Sequence, residues 1–246
     1  MSVSSITDLK IFKTLDGLSI AAAELIIDAA NKAVLKNGKF TMVLSGGNTP
    51  KKLFTILADK KYSKQMPWSN TVIFWGDERC VGLEDAENNS HQAKTLLLNH
   101  VPVLSNHIYV IPVNLSPELA AKKYEQTIFN YFKDSKPCFD LILLGLGENG
   151  HTASLFPDTK VLDTKTLGVE DVYLEEKKIY RITMTAPLIN AAHKIVFMVS
   201  GKSKAVILKN IISDSSASKK YPAKLIKPTA GELMWFVDED AAALLQ

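Results

Sequence analysis

Residues 140–157 read DLILLGLGENGHTASLFP: a short apolar run, three glycines and a histidine within eighteen positions. Leu141, Ile142, Leu143 and Leu144 are uninterrupted by any polar residue and are bounded by Asp140 and Gly145. That is the pattern of a strand covered on both faces in an α/β sheet. The glycines open its carboxyl end, the edge at which open parallel sheets bind their ligands. His151 follows at once, with hydroxyls at Thr152 and Ser154, and Pro157 stops any helix that begins there. A histidine at that edge is placed for proton transfer, and its plainer use is a hydrogen bond within the loop.

Gly145, Gly147 and Gly150 also spell GxGxxG directly after a strand. A nicotinamide site needs a sizeable helix after the glycines and an acidic residue closing the next strand about twenty residues on. Pro157 leaves little room for that helix. Residues 158–171 are polar and rich in turn formers, with no strand pattern ending at Glu170 or Asp171. The dinucleotide reading is therefore set aside, and residues 158–178 are expected to form a mobile flap or surface excursion.

Working outward, residues 18–36 carry apolar side chains at helical spacing, and Asn37-Gly38 supplies a stop. Residues 39–44 read as a strand, after which Ser45-Gly46-Gly47-Asn48 leads into a helix with Thr49 as the expected N-cap and Pro50 at its first position. Backbone N–H groups freed by two glycines, a helix N-terminus and nearby Lys51 and Lys52 make an anion site; an ordinary strand-to-helix turn would use the same residues. Residues 71–75 are the next strand, ending in the charge cluster Asp77-Glu78-Arg79. Further helices are expected at 88–99, 117–132 and 187–192, a strand at 108–111, and strands at 179–185, 194–200 and 233–237. Tyr124, Ile128 and Phe132 form a packing stripe on the helix at 117–132. Gly201-Lys202-Ser203-Lys204 again places glycine and lysine after a strand and before a helix, residues 213–220 form a polar loop, and Asp238 can cap a terminal helix.

Alternating strands and helices with glycine-rich turns define a three-layer α/β fold with a largely parallel, doubly wound, Rossmann-like sheet. The 246 residues, 46% hydrophobic and 22% charged, suffice for a single domain over 1–246. A net charge of +3 gives no electrostatic footprint for nucleic acid or a membrane surface, while the excess of lysine suits an anionic small molecule. Cys80 and Cys138 have no metal or redox spacing and read as small buried hydrophobes in a reduced compartment. With no signal-peptide pattern and no apolar run long enough to span a bilayer, a cytoplasmic protein is expected.

Five motifs in order, SGGNTP at 45–50, WGDERCV at 75–81, GLGENGHTASLFP at 145–157, RITMTAPLIN at 181–190 and GKSKA at 201–205, give a chain that resembles the 6-phosphogluconolactonase family. The same superfamily holds glucosamine-6-phosphate deaminases, in which a different run usually follows the loop histidine. The resemblance implies a sugar-phosphate lactone as substrate, hydrolysis to the open acid, and no metal or nucleotide cofactor. It implies His151 as general base, with Ser45, Gly46, Gly47, Asn48, Asp77, Glu78, Arg79, Asn149, Arg181 and Lys204 binding substrate. Asn149 stands where the family usually has aspartate, and Gly82 where it usually has proline. Without a carboxylate at 149, His151 is expected to titrate near the ordinary value of about 6.5. An amino-sugar-phosphate isomerase or deaminase, and a sugar-phosphate-binding regulator without catalysis, are the rival functions.

Overall fold

In the computed structural model, which describes residues 8–133, 135–213 and 220–245, the run LILL at 141–144 is a strand with all four side chains buried. In chain order the elements are β1 (Leu9–Phe12), α1 (Leu15–Asn37), β2 (Phe40–Leu44), α2 (Asn48–Ala58), α3 (Lys60–Ser63), β3 (Thr71–Trp75), β4 (Asp77–Arg79), α4 (Asn89–Leu96), α5 (Pro117–Phe132), β5 (Leu141–Leu144), β6 (Val169–Leu174), β7 (Ile179–Met184), α6 (Ala186–Asn190), β8 (Lys194–Val199), α7 (Ala205–Ser213), β9 (Glu232–Asp238) and α8 (Glu239–Ala242). Six strands form one sheet in the order β1-β9-β8-β5-β2-β3, and every neighbouring pair in it is parallel. Helices flank this sheet, giving the three-layer doubly wound architecture expected from the alternation. Because β2, β3 and β5 are covered on both faces, they are buried throughout and, apart from Thr41 and Thr71, apolar rather than alternating.

Helix α1 starts where the Thr14 hydroxyl accepts the Gly17 N–H and stops at Gly38, φ +75°, burying Leu18, Ala22 and Ile26 along one stripe. Helix α5 does more than pack: the buried Tyr124 hydroxyl accepts the Trp75 N–H at 2.8 Å and donates to the Trp75 carbonyl at 3.0 Å. It ties the last residue of β3 to the helix layer. Removing it would strand a buried N–H at a cost of about 1–3 kcal/mol.

Beyond Trp75 the chain leaves the main sheet. Gly76 donates to the Leu44 carbonyl and accepts from the Met184 N–H, and the next three residues enter a second, antiparallel sheet of order β4-β7-β6. Several expectations change here. Residues 77–79, the charge cluster after β3, are themselves a paired strand. Residues 169–174, expected within a mobile excursion, form β6, where Val169, Val172 and Leu174 are buried although Glu170 and Asp171 break the apolar pattern. Residues 108–111 touch β3 at a single bridge, Ile73 to Ile108, because the 3-10 turn at Ser105–His107 and Pro112 leave them too short to run alongside it. The expected helix over 88–99 ends at Leu96. The N-cap of α2 is Gly47 rather than Thr49. Strand β1, unforeseen in the sequence, adds to β9 from the other end of the chain. Both cysteines are free and only half-buried, and burial raises both thiols, Cys80 to about 11. The loop expected at 213–220 lies almost wholly outside the described residues.

Candidate active site

The carboxyl ends of β2, β5 and β8 and the inner face of the second sheet enclose a cavity of about 1030 Å³. Its walls bring together Ser45, Gly46, Gly47, Asn48, Asp77, Arg79, Asn149, His151, Arg181 and Lys204, residues spread over 160 positions of sequence from 45 to 204. Glu78 is the exception. It is 1% exposed and turned away from the cavity. Its carboxylate accepts the backbone N–H groups of Arg79 and Asn89 on Oε1 and of Ser90 on Oε2, joining β4 to the start of α4. Burial pushes this carboxyl up to about 7, against the pull of the three N–H donors.

The loop after β5 holds His151 in one pose. The Gly147 N–H donates to the His151 carbonyl at 2.8 Å, the Gly150 N–H to the Gly147 carbonyl at 2.9 Å, and the Thr152 hydroxyl to the Gly145 carbonyl at 2.8 Å. The imidazole stacks on Phe156 with centroids 4.0 Å apart. A Cβ on Gly147 would lie 2.0 Å from the ring, so only glycine lets the histidine fold back over the loop. No helix follows these glycines, which removes the helix N-terminus a dinucleotide pyrophosphate needs.

Asn149 fixes the tautomer. Its Oδ1 lies 2.5 Å from His151 Nδ1 and also accepts the His151 backbone N–H at 3.2 Å. An atom that faces a backbone N–H must be the amide oxygen, so Nδ1 carries the proton and Nε2 keeps its lone pair. The expectation of an ordinary histidine pKa fails. Burial first, then the positive charges of Arg181, Lys177, Lys204 and Arg79, push His151 down to about 3. Among these, Lys177 went unnoticed in the sequence because it sits in the turn between β6 and β7.

Arg79 and Arg181 are direct cross-strand partners in the β4–β7 pair, so their guanidinium groups share one face. Arg79 donates to the Glu87 carbonyl and carboxylate, and Asp77 is the main charge favouring the Arg181 cation. Among the described residues the Nε atoms of both arginines are buried without a hydrogen-bond partner. Two like charges opposite one another are unfavourable until an anion lies between them. On the main-sheet side, Gly46 is required because the Asn89 amide lies where a Cβ would be, 1.7 Å from Oδ1. Asn89 was missed in the sequence; it is fully buried at the start of α4 and donates to the Asp77 carbonyl at 2.9 Å. Asp77 itself accepts from the Ser154 hydroxyl at 2.7 Å. Lys204 lies 3.8 Å from Glu148 across the cavity. Lys51 bonds Asn48, and Lys52 pairs with Asp16 on the outer surface, so Lys52 adds no charge to the cavity wall. Among the described residues no group of three His, Cys, Asp or Glu side chains could hold a metal ion, and no helix is long and apolar enough to cross a membrane.

A family model described as glucosamine-6-phosphate isomerases/6-phosphogluconolactonase matches residues 13–235. The chain is 37% identical over 230 residues to a 6-phosphogluconolactonase of Nostoc sp., covering 90% of this chain and 91% of that one. It is 40% identical over 220 residues to a 6-phosphogluconolactonase of Synechocystis sp., covering 87% and 88%. Among solved structures, 6-phosphogluconolactonase from Trypanosoma cruzi superposes with a TM-score of 0.86 at 25% identity, over 100% of this chain and 98% of the other.

Proposed function

The chain belongs to the glucosamine-6-phosphate isomerase/6-phosphogluconolactonase family, and from that premise we propose that residues 1–246 act as one unit that hydrolyses 6-phospho-D-glucono-1,5-lactone to 6-phosphogluconate. This is a cytoplasmic step of the oxidative pentose phosphate pathway. The observation that carries the reading is the tethered His151, its free Nε2 directed by the Asn149 contact, in a cavity whose lining also presents Arg79, Lys177, Arg181 and Lys204. Nε2 takes a proton from water as the water oxygen bonds to C1 of the lactone. The carbonyl oxygen becomes negative as the water adds, so a backbone N–H or a cation of the cavity wall must face it. As the bond from C1 to the ring oxygen breaks, the imidazolium returns its proton to that oxygen, leaving a hydroxyl and a new carboxyl group.

The phosphate is held by cations together with N–H groups at the turn of residues 45–48, with Lys204, Arg79 and Arg181 as the charged partners. Asp77 and Asn89 face the sugar hydroxyls. Asn149 orients the base, and Glu78 supports the wall from behind. Freshly prepared lactone, followed for loss above its spontaneous opening, tests the reaction, with ammonia release from glucosamine 6-phosphate measured in parallel. Lactone turnover without ammonia is the expected result. Ammonia release assigns the isomerase side of the family to this chain, and absence of both reactions leaves a binding protein.

A further inference from the structure

We propose that Asp238, which lies outside the cavity, is a positioning residue that sets the turn at residues 201–204 so that Lys204 faces the substrate's phosphate. The inference rests on the reading of Lys204 just given. From the sequence, Asp238 is only a helix cap, a task that needs one oxygen and one N–H. The structure gives it more. Oδ1 does accept the Ala241 N–H at 2.8 Å, but it also takes the Gly201 N–H at 3.0 Å. Oδ2 is 3.2 Å from the same Gly201 nitrogen and accepts the Ser200 hydroxyl.

The parallel register explains the meeting: Val199 of β8 lies opposite Val237 of β9, so the next residue of each strand, Ser200 and Asp238, falls side by side. Asp238 is 5% exposed, and a carboxylate withdrawn from water this far persists only where donors surround it. Helix α8, which it caps, is only four residues long, and most of its donors come instead from the turn after β8. Gly201 is then held twice. Its N–H is fixed by Asp238, and its carbonyl accepts the Lys204 N–H at 3.0 Å, closing the 3-10 turn Lys202–Lys204. Ser200, Ser203 and Lys204 line the cavity, whereas Asp238 does not, so the carboxylate acts through the turn and does not repel an anionic ligand directly.

The test separates capping from positioning. Asp238→Ser keeps an N-cap oxygen for α8 and loses the second carboxylate oxygen and the reach toward the turn. Asp238→Asn retains both, with its oxygen to the N–H groups and its NH2 to the Ser200 hydroxyl. For Asp238→Ser, KM is expected to rise about tenfold, the scale of one weakened charge-assisted contact, with kcat within about threefold. Acetic anhydride labelling of Lys204, read by peptide mass spectrometry, should rise in the same variant, and Asp238→Asn should restore both readouts. Wild-type KM and labelling in Asp238→Ser overturn the proposal. So does a lowered melting temperature with neither KM nor labelling changed, which would make Asp238 a cap and nothing more. If labelling rises in Asp238→Ser but Lys204→Ala leaves KM unchanged, Asp238 stands as the residue that positions the turn, and the phosphate role of Lys204 is what fails.

Discussion

The cavity has two walls of different construction. One is the carboxyl edge of the parallel sheet, where Gly47, His151 and Lys204 each lie on a turn that follows its own strand. The other is the small antiparallel sheet, where Arg79 and Arg181 meet only because β4 and β7 pair across a hundred residues of intervening chain. The first wall is made from local turn chemistry and offers backbone N–H groups and a positioned base. The second concentrates positive charge that no local rule produces. Loss of the base on the first wall should therefore cost chemistry, and loss of the arginines on the second should cost affinity.

The largest expected effect is on the first wall. His151→Ala should lower kcat by about 100- to 10,000-fold, after subtraction of spontaneous lactone opening at each pH. Retention of near wild-type turnover would move the base to Asp77. Gly147→Ala should come next, with kcat down by roughly 100-fold and KM little changed, because the new methyl displaces the imidazole and leaves the cations in place. A crystal structure of that variant with an undisturbed ring would contradict the close-approach argument.

On the second wall, Arg181→Gln should raise KM by about tenfold or more while kcat changes less, since the phosphate is held in ground and transition states alike. An equal fall in kcat would shift Arg181 from the phosphate to the reacting carbonyl. The same arginine sharpens the comparison through pH. His151 acts when neutral, and its folded pKa of about 3 lies below the ordinary 6.5, so the neutral form persists as pH falls through 6.5. The acid limb of kcat/KM, which reports the free enzyme, should lie well below 6.5. Arg181→Gln removes the largest of the nearby positive charges and should move that limb upward, as should Asn149→Asp by adding a negative one. A wild-type limb at 6.5 would contradict both the burial and the cation field assigned to His151.

The smallest effect expected is between two turns of the first wall. Glu148→Gln, which frees Lys204 from a partly exposed ion pair, should lower KM by about twofold at low salt, with the difference fading as ionic strength rises.

Sequence legibility follows the same division. Strand β5, the glycine turn and His151 could be read from eighteen consecutive residues because each choice there is local: an apolar run, a glycine with a ring folded over it, a proline that stops a helix. Asp77-Glu78-Arg79 resisted such reading. Three adjacent charges look like a solvated loop, yet strand pairing sends Asp77 and Arg79 toward the cavity and Glu78 behind it, to three backbone N–H groups. The alternation of a strand does the sorting, and it exists only once β7 is in place.

Periodicity, apolar runs and turn formers act over a few residues, so the sequence was enough for the parallel sheet's strands β2, β3, β5, β8 and β9 and the residues of its glycine turns, though not for β1, β4 or β6. Tertiary structure alone decided what depends on distance: the facing of two arginines, the Asn89 amide packed against Gly46, the reach of Asp238 to the turn after β8, and the depressed pKa of His151. Each of these is a balance of burial and charge between groups far apart in the chain, and such balances have no value until the groups meet.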